Sequence, residues 1–75
     1  MRNCKLDLHG VRHSDVFRNV DQFIGEHIMS GSKSVNIITG NSDEMKQLVG
    51  KCLGDYQLNY QESWFNTGVV VVDLS

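Results

Sequence analysis

Apolar and polar residues alternate through Lys5-Leu6-Asp7-Leu8-His9-Gly10, the period-two pattern of a short strand that ends at a glycine. From Ser14 the period lengthens. Val16, Phe17, Val20, Phe23, Ile24, His27 and Ile28 recur at three- and four-residue intervals and predict an amphipathic helix. Ser14 or Asp15 is placed to cap its first turn, and Gly31 to end it in a left-handed conformation. Gly25 weakens this helix by about 1 kcal/mol relative to alanine, unless a close packing contact requires it. The β-branched run of Val35, Asn36, Ile37, Ile38 and Thr39 predicts a second strand, followed by a turn at Gly40. Met45, Leu48, Val49, Cys52 and Leu53 form one buried stripe of a second helix, with Asn41 and Glu44 spaced as a capping box and Gly54 as its stop. Tyr56, Leu58 and Tyr60 alternate with Gln57, Asn59 and Gln61, which predicts a third strand with one wet face. Residues 69–74 are apolar on both parities up to Asp73, so the fourth strand belongs inside the sheet.

The predicted order is strand, helix, strand, helix, strand, strand. A strand–helix–strand unit places its strands parallel with a right-handed crossover. The C-terminal ends of the first two strands then share one edge of the sheet, where ligands bind in open α/β sheets, and the glycine turns at Gly10 and Gly40 meet there. Alternation sets Asp7 and His9 on one strand face, with Arg12 and His13 in the following loop. Backbone N–H groups of the helix starts, near Ser14 and near Asn41 or Ser42, add partial positive charge. Acid, base, cation and backbone donors on one surface suit a phosphodiester. Plainer readings also hold for each residue: Asp7 paired with Lys5, His9 satisfying a carbonyl, and glycines that serve turns needing positive φ.

Composition narrows the classes. The 75 residues suffice for one domain, residues 1–75, and 40% hydrophobic with 21% charged residues and no proline indicates a folded chain. A formal net charge of −2 works against general affinity for nucleic acid, although Arg2, Lys5, Arg12 and Arg18 make the N-terminal quarter locally basic. Cys4 and Cys52 have no C-x-x-C spacing, so neither a disulfide framework nor a thiolate zinc site is supported, and Cys52 fits the helical core stripe. His9 and His13 are spaced as half a zinc site, with no thiolate pair to complete it. No segment has the apolar length of a signal peptide or membrane span; the expectation is a soluble, intracellular, cytoplasmic protein with no membrane association.

Leu6-Asp7-Leu8-His9-Gly10, Asp15-Val16 at the helix start, residues 35–40 and residues 68–74 together resemble the small MutS-related (Smr) domain over nearly the whole chain. The resemblance implies a two-layer α/β (α+β) sandwich of βαβαββ order. Its four-stranded mixed sheet carries both helices on one face, as in the C-terminal domain of translation initiation factor three. It also implies an endonuclease that nicks or selectively cleaves structured DNA or RNA. The family's L-D-x-H motif falls on Asp7 and His9, and its T-G-x-G loop on Thr39, Gly40 and Asn41. In that reading His9 is the general acid or base, and Asp7 orients it or holds a divalent ion such as magnesium or manganese. Thr39 and the Gly40 and Asn41 amides position the phosphate, while Arg12, with His13 beside it, meets the developing charge. Ser42 stands where the loop's second glycine would be, and Asp43 and Glu44 place negative charge where a phosphate should come. Asn66 and Thr67 replace a glycine-rich stretch. Two other functions fit the residues. One is a non-catalytic nucleic-acid-binding module that uses Arg2, Lys5, Arg12 and Arg18, with Trp64 or Phe65 stacking on a base or else plugging the hairpin. The other is a protein-interaction domain that keeps only the fold.

Overall fold

The structure, a computed structural model, describes residues 4–63 and 68–74. Arg2, Trp64, Phe65, Asn66 and Thr67, named above for binding, stacking or loop composition, lie outside the described residues. The elements are β1 (Lys5–Asp7), α1 (His13–Met29), β2 (Ser34–Ile38), α2 (Asp43–Asp55), β3 (Asn59–Glu62) and β4 (Val69–Asp73). Their order matches the sequence periodicity. β1 pairs parallel with β2 across the α1 crossover, and β4 runs antiparallel between β2 and β3, giving the order β1-β2-β4-β3.

Register decides what each face carries. Val35 lies opposite Val72 and Ile37 opposite Val70, so these four fully or nearly buried residues project from one face into the helices. There they join Leu8, Val16, Val20, Phe23 and Ile24 from the first half of the chain and Met45, Val49, Cys52 and Leu53 from α2. Tyr60 and Glu62 of β3 share that face: Lys46 Nζ lies 2.8 Å from Glu62, and a Cβ added at Gly50 would meet the Tyr60 hydroxyl at 2.7 Å. The other face, with Asn36, Ile38, Val69 and Val71, has neither of the described core helices packed against it and is half-buried at its centre. A valine-rich β4 apolar on both parities thus occupies the interior position its pattern required.

Boundaries differ from the periodic reading where local hydrogen bonding outweighs pattern. Ser42, and not the Asn41–Glu44 box, caps α2, its hydroxyl accepting from the Met45 N–H at 3.2 Å. α2 runs past Gly54 to Asp55, with Tyr56 as C-cap, and the left-handed residue beyond it is Gln57 at φ 60°. The third strand therefore begins at Asn59, and Tyr56 belongs to the helix end. Gly31 closes α1 at φ 78° as expected. No atom lies within 4 Å of a Cβ built at Gly25, so no packing contact demands that glycine.

Candidate functional site

Both strand exits emerge at one edge of the sheet, because Asp7 lies opposite Ile38 in the parallel β1–β2 register. The first exit is a tight turn of residues 8–11. Leu8 is 1% exposed, and its N–H donates to the Ile38 carbonyl at 2.9 Å, which anchors the turn in the core. The Val11 N–H returns to the Leu8 carbonyl at 3.0 Å, and Gly10 at φ 80° holds the third position, where a type II turn requires positive φ. His9 stands at the exposed second position.

The expectation that Asp7 and His9 share a strand face is corrected here. β1 ends at Asp7, so alternation does not reach His9. What joins the two residues is a hydrogen bond in which Asp7 Oδ1 accepts the His9 backbone N–H at 2.8 Å. The carboxylate fixes the turn that presents the imidazole.

α1 starts at His13, placing that residue in the first helical turn and not in the loop. Its N-cap is Arg12, with extended φ/ψ and no side-chain capping bond, so neither Ser14 nor Asp15 fills the predicted role. The Asp15 N–H donates instead to the Arg12 carbonyl at 2.8 Å, and the Asp15 carboxylate pairs with Arg18 at 3.0 Å. The positive end of a 17-residue helix dipole is thus left without a side-chain cap beside exposed Arg12 and His13.

The second exit is closed by its own chain. The Thr39 and Gly40 N–H groups both donate to the Gly68 carbonyl, at 2.8 and 3.1 Å. The buried Thr39 hydroxyl lies 3.0 Å from the Gly40 carbonyl and 3.3 Å from that of Gly68. The Gly40 amide expected to face a phosphate is therefore committed to the hairpin, while Asn41 is exposed at the turn. In the sequence Gly68 is distinguished only as the glycine before an aliphatic strand. Asp43 and Glu44 occupy the first turn of α2. Glu44 Oε1 lies 3.4 Å from His13 Nδ1, so the two helix starts touch through a side-chain pair that spacing alone does not disclose.

A strand-borne aspartate locks a histidine–glycine turn in a βαβαββ chain whose second turn is a Thr-Gly pair. The protein-family model of the Smr domain matches residues 6–75. The chain belongs to the Smr domain family. No curated protein and no solved structure gives a significant match to it. Membership gives this Smr domain a nucleic-acid-related function at the family level.

Other chemistry on the domain is structural. Among the described residues no three His, Cys, Asp or Glu side chains gather as a metal centre would need, so Asp7 and His9 do not by themselves build a magnesium or manganese site. A 370 Å³ hollow on the open sheet face is lined by Ser34, Asn59, Tyr60, Gln61, Val71 and Asp73, away from the turns. A second, of 410 Å³, lies between the helices at Phe17, Arg18, Asp21, Cys52, Asp55 and Tyr56. Burial, helped by the charges of Asp21 and Asp55, pushes the Cys52 thiol up and makes it a poor nucleophile, as its core position predicts. No helix among the described residues is long and apolar enough to cross a membrane.

Proposed function

We propose that this Smr domain is an endonuclease that cleaves phosphodiesters of DNA or RNA at the β1–α1 turn. The observation that carries the reading is the Asp7-locked turn, which holds an exposed His9 imidazole next to the uncapped N-terminus of α1. The scissile phosphate rests over that helix start, where Arg12 and the positive end of the helix dipole offset its charge. His9 takes the proton of the attacking oxygen, from water or from a ribose 2′-hydroxyl. As the new P–O bond forms and the old one breaks, the imidazolium returns that proton to the leaving oxygen. Asp7 is a positioning residue, acting on the backbone of His9, and His13 lines the site as a second nitrogen donor. Thr39 and Gly40 hold the far wall of the site through Gly68 and are not needed as phosphate donors, and Asn41 lies exposed beside them.

Purified protein incubated with end-labelled single-stranded, duplex and branched DNA and RNA tests the reading. Product from the parent and at least a hundredfold less from His9→Ala is the expected result. Equal cleavage by the two proteins overturns it. A binding-only module is the second reading, favoured by the acids at the start of α2 and by the committed Gly40 amide. It predicts salt-sensitive binding with no product from any substrate.

A further inference from the structure

The side chains that flank the contact between the two halves of this edge differ in character, since Asp7 and Asp15 on the first half are turned onto the His9 amide and Arg18 and leave Arg12 and His13 facing the acids of the second. On one side stand Arg12, His13 and an α1 dipole with no side-chain cap; on the other stand Asp43 and Glu44, on an α2 whose first turn is capped by Ser42. The side chains of His13 and Glu44, 46% and 73% exposed, reach across to 3.4 Å, so a phosphate placed on the first half has a carboxylate as its immediate neighbour. Asp43 precedes Glu44 and adds to that field.

We infer that Glu44 selects a single-stranded segment of nucleic acid over a duplex at this site. The inference rests on the proposal that phosphates bind at the β1–α1 turn. A duplex presents two rigid rows of phosphates, one charge per about 1.7 Å of axis, and cannot lay one row over Arg12 while keeping its charge away from Glu44. A flexible single strand can place one phosphate on the first half and turn its backbone away. What it then offers the second half is a base edge or sugar, where hydrogen-bond donors occur. A carboxylate accepts well from an exocyclic amino group or a 2′-hydroxyl. Acids that repel a phosphate are in that geometry suitable partners for an unpaired nucleotide. Selectivity for structured nucleic acid then means selectivity for its unpaired segments.

Fluorescence anisotropy at low salt, with one labelled sequence as single-stranded DNA, single-stranded RNA and the corresponding duplexes, reads this without requiring cleavage. The parent is expected to bind either single strand more tightly than its duplex. Glu44→Gln should narrow that ratio on the order of two- to fivefold, mainly by improving duplex binding. Asp43→Asn removes the same charge one residue away, with no contact to His13 to release, and should narrow the ratio less. A stronger effect of Glu44→Gln on RNA than on DNA assigns the 2′-hydroxyl as donor, and an equal effect assigns the base. Duplex bound as tightly as single strand by the parent, or equal effects of the two substitutions, overturns the inference. A parent that binds but does not cut removes only the endonuclease reading. A parent that binds no oligonucleotide removes both.

Discussion

The two strand-to-helix turns of this Smr domain look alike in sequence and differ in what their backbones are free to do. Each ends a strand on a glycine with positive φ, 80° at Gly10 and 66° at Gly40, and each leads into a helix at the same sheet edge. At the second turn, the Thr39 and Gly40 amides are tied to Gly68, Ser42 caps the helix and acids neutralise its dipole. At the first, the Asp7 carboxylate is folded onto the His9 amide and that of Asp15 is paired with Arg18, and the helix follows its N-cap Arg12 without a side-chain capping bond. A glycine turn before a helix is thus a conformational device. Whether it binds an anion depends on what else has already claimed its donors.

Substitutions at matched positions of the two turns test this division. His9→Ala should have the largest effect, lowering single-turnover cleavage by about 10²–10⁴ while leaving affinity by anisotropy nearly unchanged. Loss of affinity in step with cleavage would make His9 a binding residue. Gly10→Ala and Gly40→Ala come next. No atom lies within 4 Å of a Cβ built at either position, so each should destabilise through backbone strain alone, by about 1–2 kcal/mol in urea denaturation. Only Gly10→Ala should also weaken nucleic-acid binding; equal functional loss at Gly40 would break the comparison.

Arg12→Ala and Ser42→Ala form the next pair. Arg12→Ala should lower affinity and reduce the slope of log affinity against log salt by about one, with stability within about 0.5 kcal/mol of the parent. Ser42→Ala should cost about 1 kcal/mol of stability through the lost cap and leave the salt slope unchanged. The smallest effect lies between the two helices, away from both turns. The Tyr56 hydroxyl donates to Asp21, and that hydrogen bond pushes its pKa up to about 12. From its ordinary value near 10 upward, the unfolded chain releases this proton before the folded one does. Stability should therefore fall as pH rises from about 10 to about 12, and Tyr56→Phe should remove that part of the slope. Tyr56 is 37% exposed, so the substitution should cost less than about 1 kcal/mol by thermal denaturation below pH 9.

The parts of the fold legible in the chain are those set by burial. The stripe of Val16, Val20, Phe23 and Ile24, the stripe from Met45 to Leu53 and the doubly apolar β4 go into the core as their patterns require, whereas Phe17 and Ile28, apolar members of the same helical pattern, lie at its margin and stay exposed. Element ends were less legible, because caps compete over one or two residues: Ser42 outranks Asn41, and Gln57 takes the left-handed position in place of Gly54. At the candidate site, the residue types and their shared edge followed from the opening motif and the parallel pairing. The Asp7–His9 relation did not, because a strand two residues shorter than its alternation suggests replaces a shared face with a side-chain-to-backbone bond.

The sequence by itself determined the order of elements, the parallel pair that brings both turns to one edge, the core and the family. Hydrophobic periodicity and chain connectivity are local properties that leave few topologies open. Tertiary structure alone decided which turn keeps its donors. Gly68 lies 28 residues beyond Gly40, and Glu44 lies 31 beyond His13, so the contacts between them exist only once the sheet and helices have closed.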